Sequence, residues 1–342
     1  MTSREIIRRV LAHDDPPRIG FTFRPYDGRP RLNDVATCGP AVARGFDGSW
    51  REDGAGGEVH DDEWGCTWRR VAGRTDKGEV VGPAITSAAD VEAYQPPDLG
   101  HRSRYHHCAA IREAHADRYL LGSITGCCFN RARYLPGFAT YLEWCAGEPE
   151  LVDTINRMVS DIVLAQVDAY AEIGCDGVFF VEDWGTQERL LVSPAMWDRC
   201  FRWTFERLLE RAHGHGLTVW MHSCGYIREI IPTLVYLGMD VFQFSQPEIH
   251  GLDFLAQYAD RTTFWCSVDG QKTLPTGDEA LIRSRAREMA QKLGHGGGFI
   301  ARDNANPAAL GVELLWMQWS YEEFMRWGIF DPAEAGLSPA EV

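Results

Sequence analysis

From about residue 118 onward, short apolar runs alternate with long amphipathic ones, and this alternation limits the possible folds more than any other feature of the chain. RYLLGSI (118–124), DGVFFVED (176–183), LTVWMHSC (217–224), DVFQFSQ (240–246), TTFWCSVDG (262–270) and GGGFIARDN (296–304) read as strands. Between and after them come helical patterns. In 149–174, Leu151, Ile155, Met158, Ile162 and Ala165 recur at steps of three and four and share a face. The stretch 193–216 opens with Ser193 at an N-cap and Pro194 at the first helical position. Residues 227–238, 278–294 and 313–328 complete the set, with Thr276 and Glu279 read as a capping box before the second of these.

Apolar strands separated by helices imply a parallel sheet covered by those helices. RIGFTF (18–23) adds a seventh strand, and an eighth is expected in 127–145 or elsewhere. No G-x-G-x-x-G follows any strand, so a closed (β/α)8 TIM-type barrel is preferred to a doubly wound sheet. It is read as one domain over 1–342, in which 1–115 form an N-terminal extension with the first strand and 116–342 the main barrel repeats. The extension carries a helix near the N-terminus and a β-hairpin in 63–85 around the turn TDKG. Residues 45–62 read as an exposed loop, and TSAADVEAY as a helix start with Ser87 and Asp90 as its capping pair.

Composition narrows the partners. The formal charge is −15 and no Lys/Arg stripe exists, which disfavours nucleic acid. No apolar run reaches the roughly 18 residues of a membrane span, and the N-terminus lacks a signal-peptide core, so a cytoplasmic protein is expected. The ten cysteines contain no C-x-x-C pair and are expected to be free, buried or metal-binding. The tryptophans of 313–328 read as core, with a homodimer as the alternative use.

In such barrels chemistry sits at the C-terminal ends of the strands. Those ends carry Glu182, Asp183 and Gln187; His222 and Cys224; Gln246 and Glu248; Cys266, Asp269 and Gln271; and Arg302, Asp303 and Asn304. His222 and Cys224, two apart on a strand, can point at one ion. Zinc accepts both donor types and wants three or four ligands.

The order and spacing of DEWGCTWRR, GCDGVFFVEDWGTQERLLVSP, HSCGYIREIIPTLVYLGMDVFQFSQPE and VDGQKTLPTG resemble the uroporphyrinogen decarboxylase superfamily almost end to end. Within it the resemblance is to the corrinoid-linked zinc methyltransferase branch. It implies a TIM-type barrel and assigns two zinc ligands to His222 and Cys224. The branch's third ligand, a Cys after the last strand, has no counterpart in GFIARDNANP. Asp303, Glu182, Asp183 and Cys266 are the candidates to replace it. The expected activity is methyl transfer between a small methylated compound and a corrinoid protein or a thiol, with cobalamin carried on the partner. Glu182 or Asp183 would donate a proton, and Gln187, Tyr226, Gln246, Asp269, Gln271 and Asp303 would bind substrate. A decarboxylase or lyase of a small carboxylic acid, and a non-catalytic binding barrel, are the alternatives.

Overall fold

A computed structural model describes residues 1–74, 77–124 and 126–338. Eight strands form one parallel sheet: β1 (Gly20–Thr22), β2 (Val35–Cys38), β7 (Tyr119–Ser123), β8 (Gly177–Val181), β9 (Thr218–His222), β10 (Val241–Phe244), β11 (Thr263–Cys266) and β12 (Phe299–Arg302). Their spatial order is β1-β12-β11-β10-β9-β8-β7-β2, which curls into a nearly closed barrel. The four remaining strands, β3 (Arg51–Glu52), β4 (Gly57–Asp61), β5 (Thr67–Val71) and β6 (Glu79–Gly82), make a separate antiparallel sheet in the extension.

The strands form because their residues satisfy two faces at once. Successive side chains alternate across a strand, so one set fills the barrel and the other packs under the helices. Val35, Tyr119, Leu121, Trp220, Val241, Trp265 and Ile300 form the interior cluster, with Phe179 beside it. Aromatic rings tile this interior: Tyr119–Trp220, Trp220–Trp265 and Phe179–Trp265 centroids lie 5.6, 5.4 and 5.4 Å apart. The N-terminal helix Ser3–Ala12 stoppers the bottom with Ile6, Ile7 and Val10. Its Arg4 and Arg8 join Arg112 on the buried Asp176 carboxylate, which also accepts from the Leu120 amide. The outward-facing set, including Phe180, Val219 and Phe242, belongs to the larger core beneath the helices.

The barrel has a seam. β1 and β2 are its edges, and no parallel ladder joins them. Asp34 fills the gap: its carboxylate accepts from both Nη atoms of Arg18 at 2.7 Å, from the Phe21 amide at 2.8 Å and from the Ser3 hydroxyl at 2.6 Å. Both charged side chains are almost fully buried.

Several expectations are corrected here. The eighth strand is Val35–Cys38, whereas 127–145 holds the helices Cys128–Tyr134 and Phe138–Gly147. Residues 45–62 are not a loop throughout, since β3 and β4 lie within them, so the expected hairpin is one half of a four-stranded sheet. Thr75 and Asp76 of its TDKG turn lie outside the described residues. The helix of 193–216 breaks at Phe201 into Pro194–Cys200 and Arg202–Gly214. Asp278, not Thr276, caps the helix Glu279–Leu293 by accepting from the Leu281 amide. Trp316 and Trp319 pack partly against the core, while Trp327 is 37% exposed.

Candidate active site

The strand alternation that fills the barrel also builds its mouth. One step of two beyond Trp220 lies His222; beyond Val241, Gln243; beyond Ile300, Arg302; beyond Phe179, Val181 and then Asp183. Register sets these side chains level, with His222 paired to Val181 on one side and to Gln243 on the other. The same parity turns Glu182 outward.

Asp183, His222 and Cys224 meet. His222 Nε2 lies 3.1 Å from Cys224 Sγ and 3.6 Å from Asp183 Oδ1. The Cys224 amide donates to Asp183 Oδ1 at 3.2 Å. One donor atom from each residue falls within 4.8 Å of the others. Two glycines allow the loops that carry them to touch. Gly225 has φ +72°, and a Cβ there would sit 2.1 Å from the Gly185 carbonyl oxygen. The Tyr226 amide donates to the Thr186 carbonyl at 2.7 Å, and the Trp184 amide to Ser223 Oγ at 3.2 Å, which locks the two loops together.

His222 Nδ1 is hydrogen-bonded to Gln243 Oε1, so Nδ1 carries the proton and Nε2 presents its lone pair to the triad. Burial holds His222 below its ordinary pKa, against the pull of the Asp183 carboxylate. Crowding around its thiol, and then the Asp183 charge, push Cys224 up to about 12. The arrangement is therefore a neutral imidazole, a protonated thiol and a carboxylate. A bound cation would invert the preference of the thiol. The donor set fits zinc: imidazole and thiolate are its usual ligands, carboxylate is accepted, and the Gln243 contact orients the ring as outer partners of a metal histidine do. Of the candidates for a third ligand, Asp183 is the one the fold brings to His222 and Cys224.

Beside the triad opens a cavity of about 530 Å³, lined by both His222 and Cys224. Trp265 and Phe179 form part of its wall, and Gln243, Gln246, Gln271 and Arg302 bring polar groups to it. Gln187 and Gln246 exchange amide hydrogen bonds of 3.2 and 3.1 Å at its rim. Tyr226 sits behind this rim, its ring 6.0 Å from that of the buried His250.

Other expected residues lie elsewhere. Glu182 is fully buried and accepts from the amides of Phe129 and Asn130, at the start of the helix Cys128–Tyr134; it does not line the cavity. Burial and the nearby Cys128 hold its carboxyl well above the ordinary range. Asp269 is likewise buried and turned onto the amides of Gln271 and Lys272, so it shapes the loop that presents Gln271. Asp303 is held by Arg24, through the amide at 3.1 Å and Nε at 2.8 Å. Cys266 is fully buried in β11, its thiol pushed up to about 12 by burial. Sequence reasoning missed Gln243 and Trp265 as cavity residues, and placed Arg302 at a strand end without giving it a role. The signal was available: Gln243 is the one polar side chain of the strand VFQF, and Arg302 lies two positions past the interior Ile300.

The sequence profile of uroporphyrinogen decarboxylase (URO-D) matches residues 63–303. The chain belongs to the uroporphyrinogen decarboxylase family. Among solved structures this URO-D chain is similar to a methyltransferase from Methanosarcina mazei, at 17% identity and a TM-score of 0.60, over 77% of this chain and 75% of that one. It is more distantly similar to a B12-independent methionine synthase from Shewanella sp. W3-18-1, at 10% identity and a TM-score of 0.44, over 78% of this chain and 72% of that one. These likenesses concern the fold. No curated protein matches the sequence. Among the described residues of this family member, no helix is long and apolar enough to cross a membrane.

Proposed function

We propose that this URO-D family member is a zinc-dependent methyltransferase that moves a methyl group between a small methylated compound and a corrinoid protein or a thiol. Membership of the family supports an enzyme of methyltransferase or decarboxylase-like type. The observation that carries the finer reading is the convergence of Asp183, His222 and Cys224, the last two of which line an otherwise largely apolar cavity.

These three residues would hold zinc. When bound, it would supply Lewis acidity, lowering the pKa of a thiol or other heteroatom presented to it. His222 keeps Nε2 free for this because Gln243 holds Nδ1. Gln187 and Gln246 orient substrate at the rim as a coupled pair, Gln271 borders the same opening, and Tyr226 backs the rim. Phe179, Val181, Trp265 and Leu310 give the cavity apolar walls beside the reacting atoms. Since Glu182 faces away from the cavity and Asp183 would be a zinc ligand, any proton delivered to a leaving group would come from substrate or solvent. The acceptor cobalamin would ride on a separate corrinoid protein.

The test is metal content and methyl transfer in wild type and Cys224→Ser. Wild type should carry about one zinc per chain and demethylate substrate in the presence of a corrinoid acceptor. Cys224→Ser should lose metal and activity while its circular dichroism stays unchanged, because Cys224 lies on a rim loop outside the hydrophobic core. Active, metal-free wild type would overturn the proposal.

A further inference from the structure

We infer that Arg302 anchors a carboxylate of the substrate, with the amides of Gln243 and Asn304 completing the donor set and Trp265 supporting the guanidinium. The inference deepens the proposed reading of this cavity by naming a substrate class, and it rests on that reading only for the cavity being the substrate site.

Arg302 ends β12 with its side chain in the cavity. Its Nε donates to the Asp303 carbonyl at 3.0 Å, and its guanidinium carbon lies 4.7 Å from the Trp265 ring centre. Its two terminal nitrogens have no hydrogen-bond or ion-pair partner among the described residues. The adjacent Asp303 is no counter-ion for it, being taken by Arg24. A guanidinium left without a protein partner in a cavity is solvated by water until a ligand acceptor replaces it. Two further donors in the lining are also unused: Gln243 Nε2 and Asn304 Nδ2 are both buried without a partner. Gly270 leaves room for the second, since a Cβ there would stand 2.2 Å from Asn304 Nδ2.

Among the described residues the lining contains no Asp or Glu, in a chain whose formal charge is −15; the triad carboxylate, Asp183, is engaged by the Cys224 amide and His222 behind it. A cavity whose described lining holds a free guanidinium and spare amide donors but no carboxylate asks for an acceptor-rich anion. The planar fork of Arg matches a carboxylate in a bidentate pair. The apolar walls then take the body of the molecule, and its reacting heteroatom reaches the triad. The substrate is thus a small organic acid with an apolar core.

Binding can be measured without turnover. Benzoate, phenylacetate and 3-phenylpropanoate are titrated calorimetrically against zinc-loaded full-length protein, each beside its primary amide and its sulfonate analogue. At least one carboxylate should bind, with its amide about tenfold or more weaker, as loss of a charge-assisted pair implies. Arg302→Gln should weaken the carboxylate by about the same factor and leave the amide unchanged. Cys224→Ser should retain carboxylate binding, which separates this subsite from the metal reading: methyl transfer can fail while the anchor stands. Binding of none of the acids, equal binding of acid and amide, an Arg302→Gln variant of wild-type affinity, or preference for the sulfonate would each overturn the assignment.

Discussion

At the scale of single residues, the chemistry turns on which way each side chain of a strand end points. His222 and Cys224 were legible as a pair because their i, i+2 spacing puts them on one face, and the resemblance supplied the expectation of metal. The third donor was not fixed by spacing, since Glu182 and Asp183 are adjacent and only strand parity separates them. Glu182 faces the helix layer and Asp183 the mouth. The triad has a measurable proton balance. Burial keeps His222 neutral near pH 7, so it has no proton to lose on Nε2 when metal binds. Cys224, pushed up to about 12, is protonated throughout the physiological range and must release its proton on ligation. Zinc uptake should therefore release about one proton per ion and tighten about tenfold per pH unit between roughly pH 6.5 and 8. Calorimetry in buffers of differing ionisation enthalpy measures this; release of none would mean that the thiol is not a ligand.

At the scale of elements, the strongly apolar or periodic stretches were readable and the mixed, polar ones were not. Seven barrel strands and the helix Pro149–Ile173 emerge from apolar patterning alone. β2 escaped because Val35–Cys38 breaks its apolar run with an exposed Thr37 in the middle and resembles any loop segment. β3 and β4 hid in a Gly- and acid-rich run because their partner strands, not their own composition, stabilise them. The break at Phe201 had no Gly or Pro to announce it. Asp34, which joins β1 to β2, is the element-scale position most exposed to mutation. Asp34→Ala should destabilise the protein by about 3–5 kcal/mol, because it strands a buried Arg18. Urea denaturation reads this, and a loss below about 1 kcal/mol would show that the seam does not depend on the pair.

At the scale of the whole molecule, one helix links the antiparallel sheet of the extension to the loop beside the triad. Asp62, beside β4, pairs with Arg131 at 2.8 Å and accepts from Trp68 Nε1 at 2.9 Å. The helix carrying Arg131 is the same Cys128–Tyr134 whose first amides hold Glu182, one residue before Asp183. The antiparallel sheet therefore braces the loop that carries the triad carboxylate. The acid-free cavity has a further consequence when set against the charge of the chain around it. At long range a protein of charge −15 repels an organic anion, whereas the attraction of Arg302 acts only within the mouth. Capture should then be slow at low ionic strength and quicken as salt shortens the screening length, about 10 Å at 0.1 M, while leaving the interior contacts largely unscreened. Stopped-flow tryptophan fluorescence with benzoate should show an association rate that rises with added salt and a dissociation rate that barely moves. The molecule would then admit its acid against its own field, its selectivity residing in how long a bound acid stays.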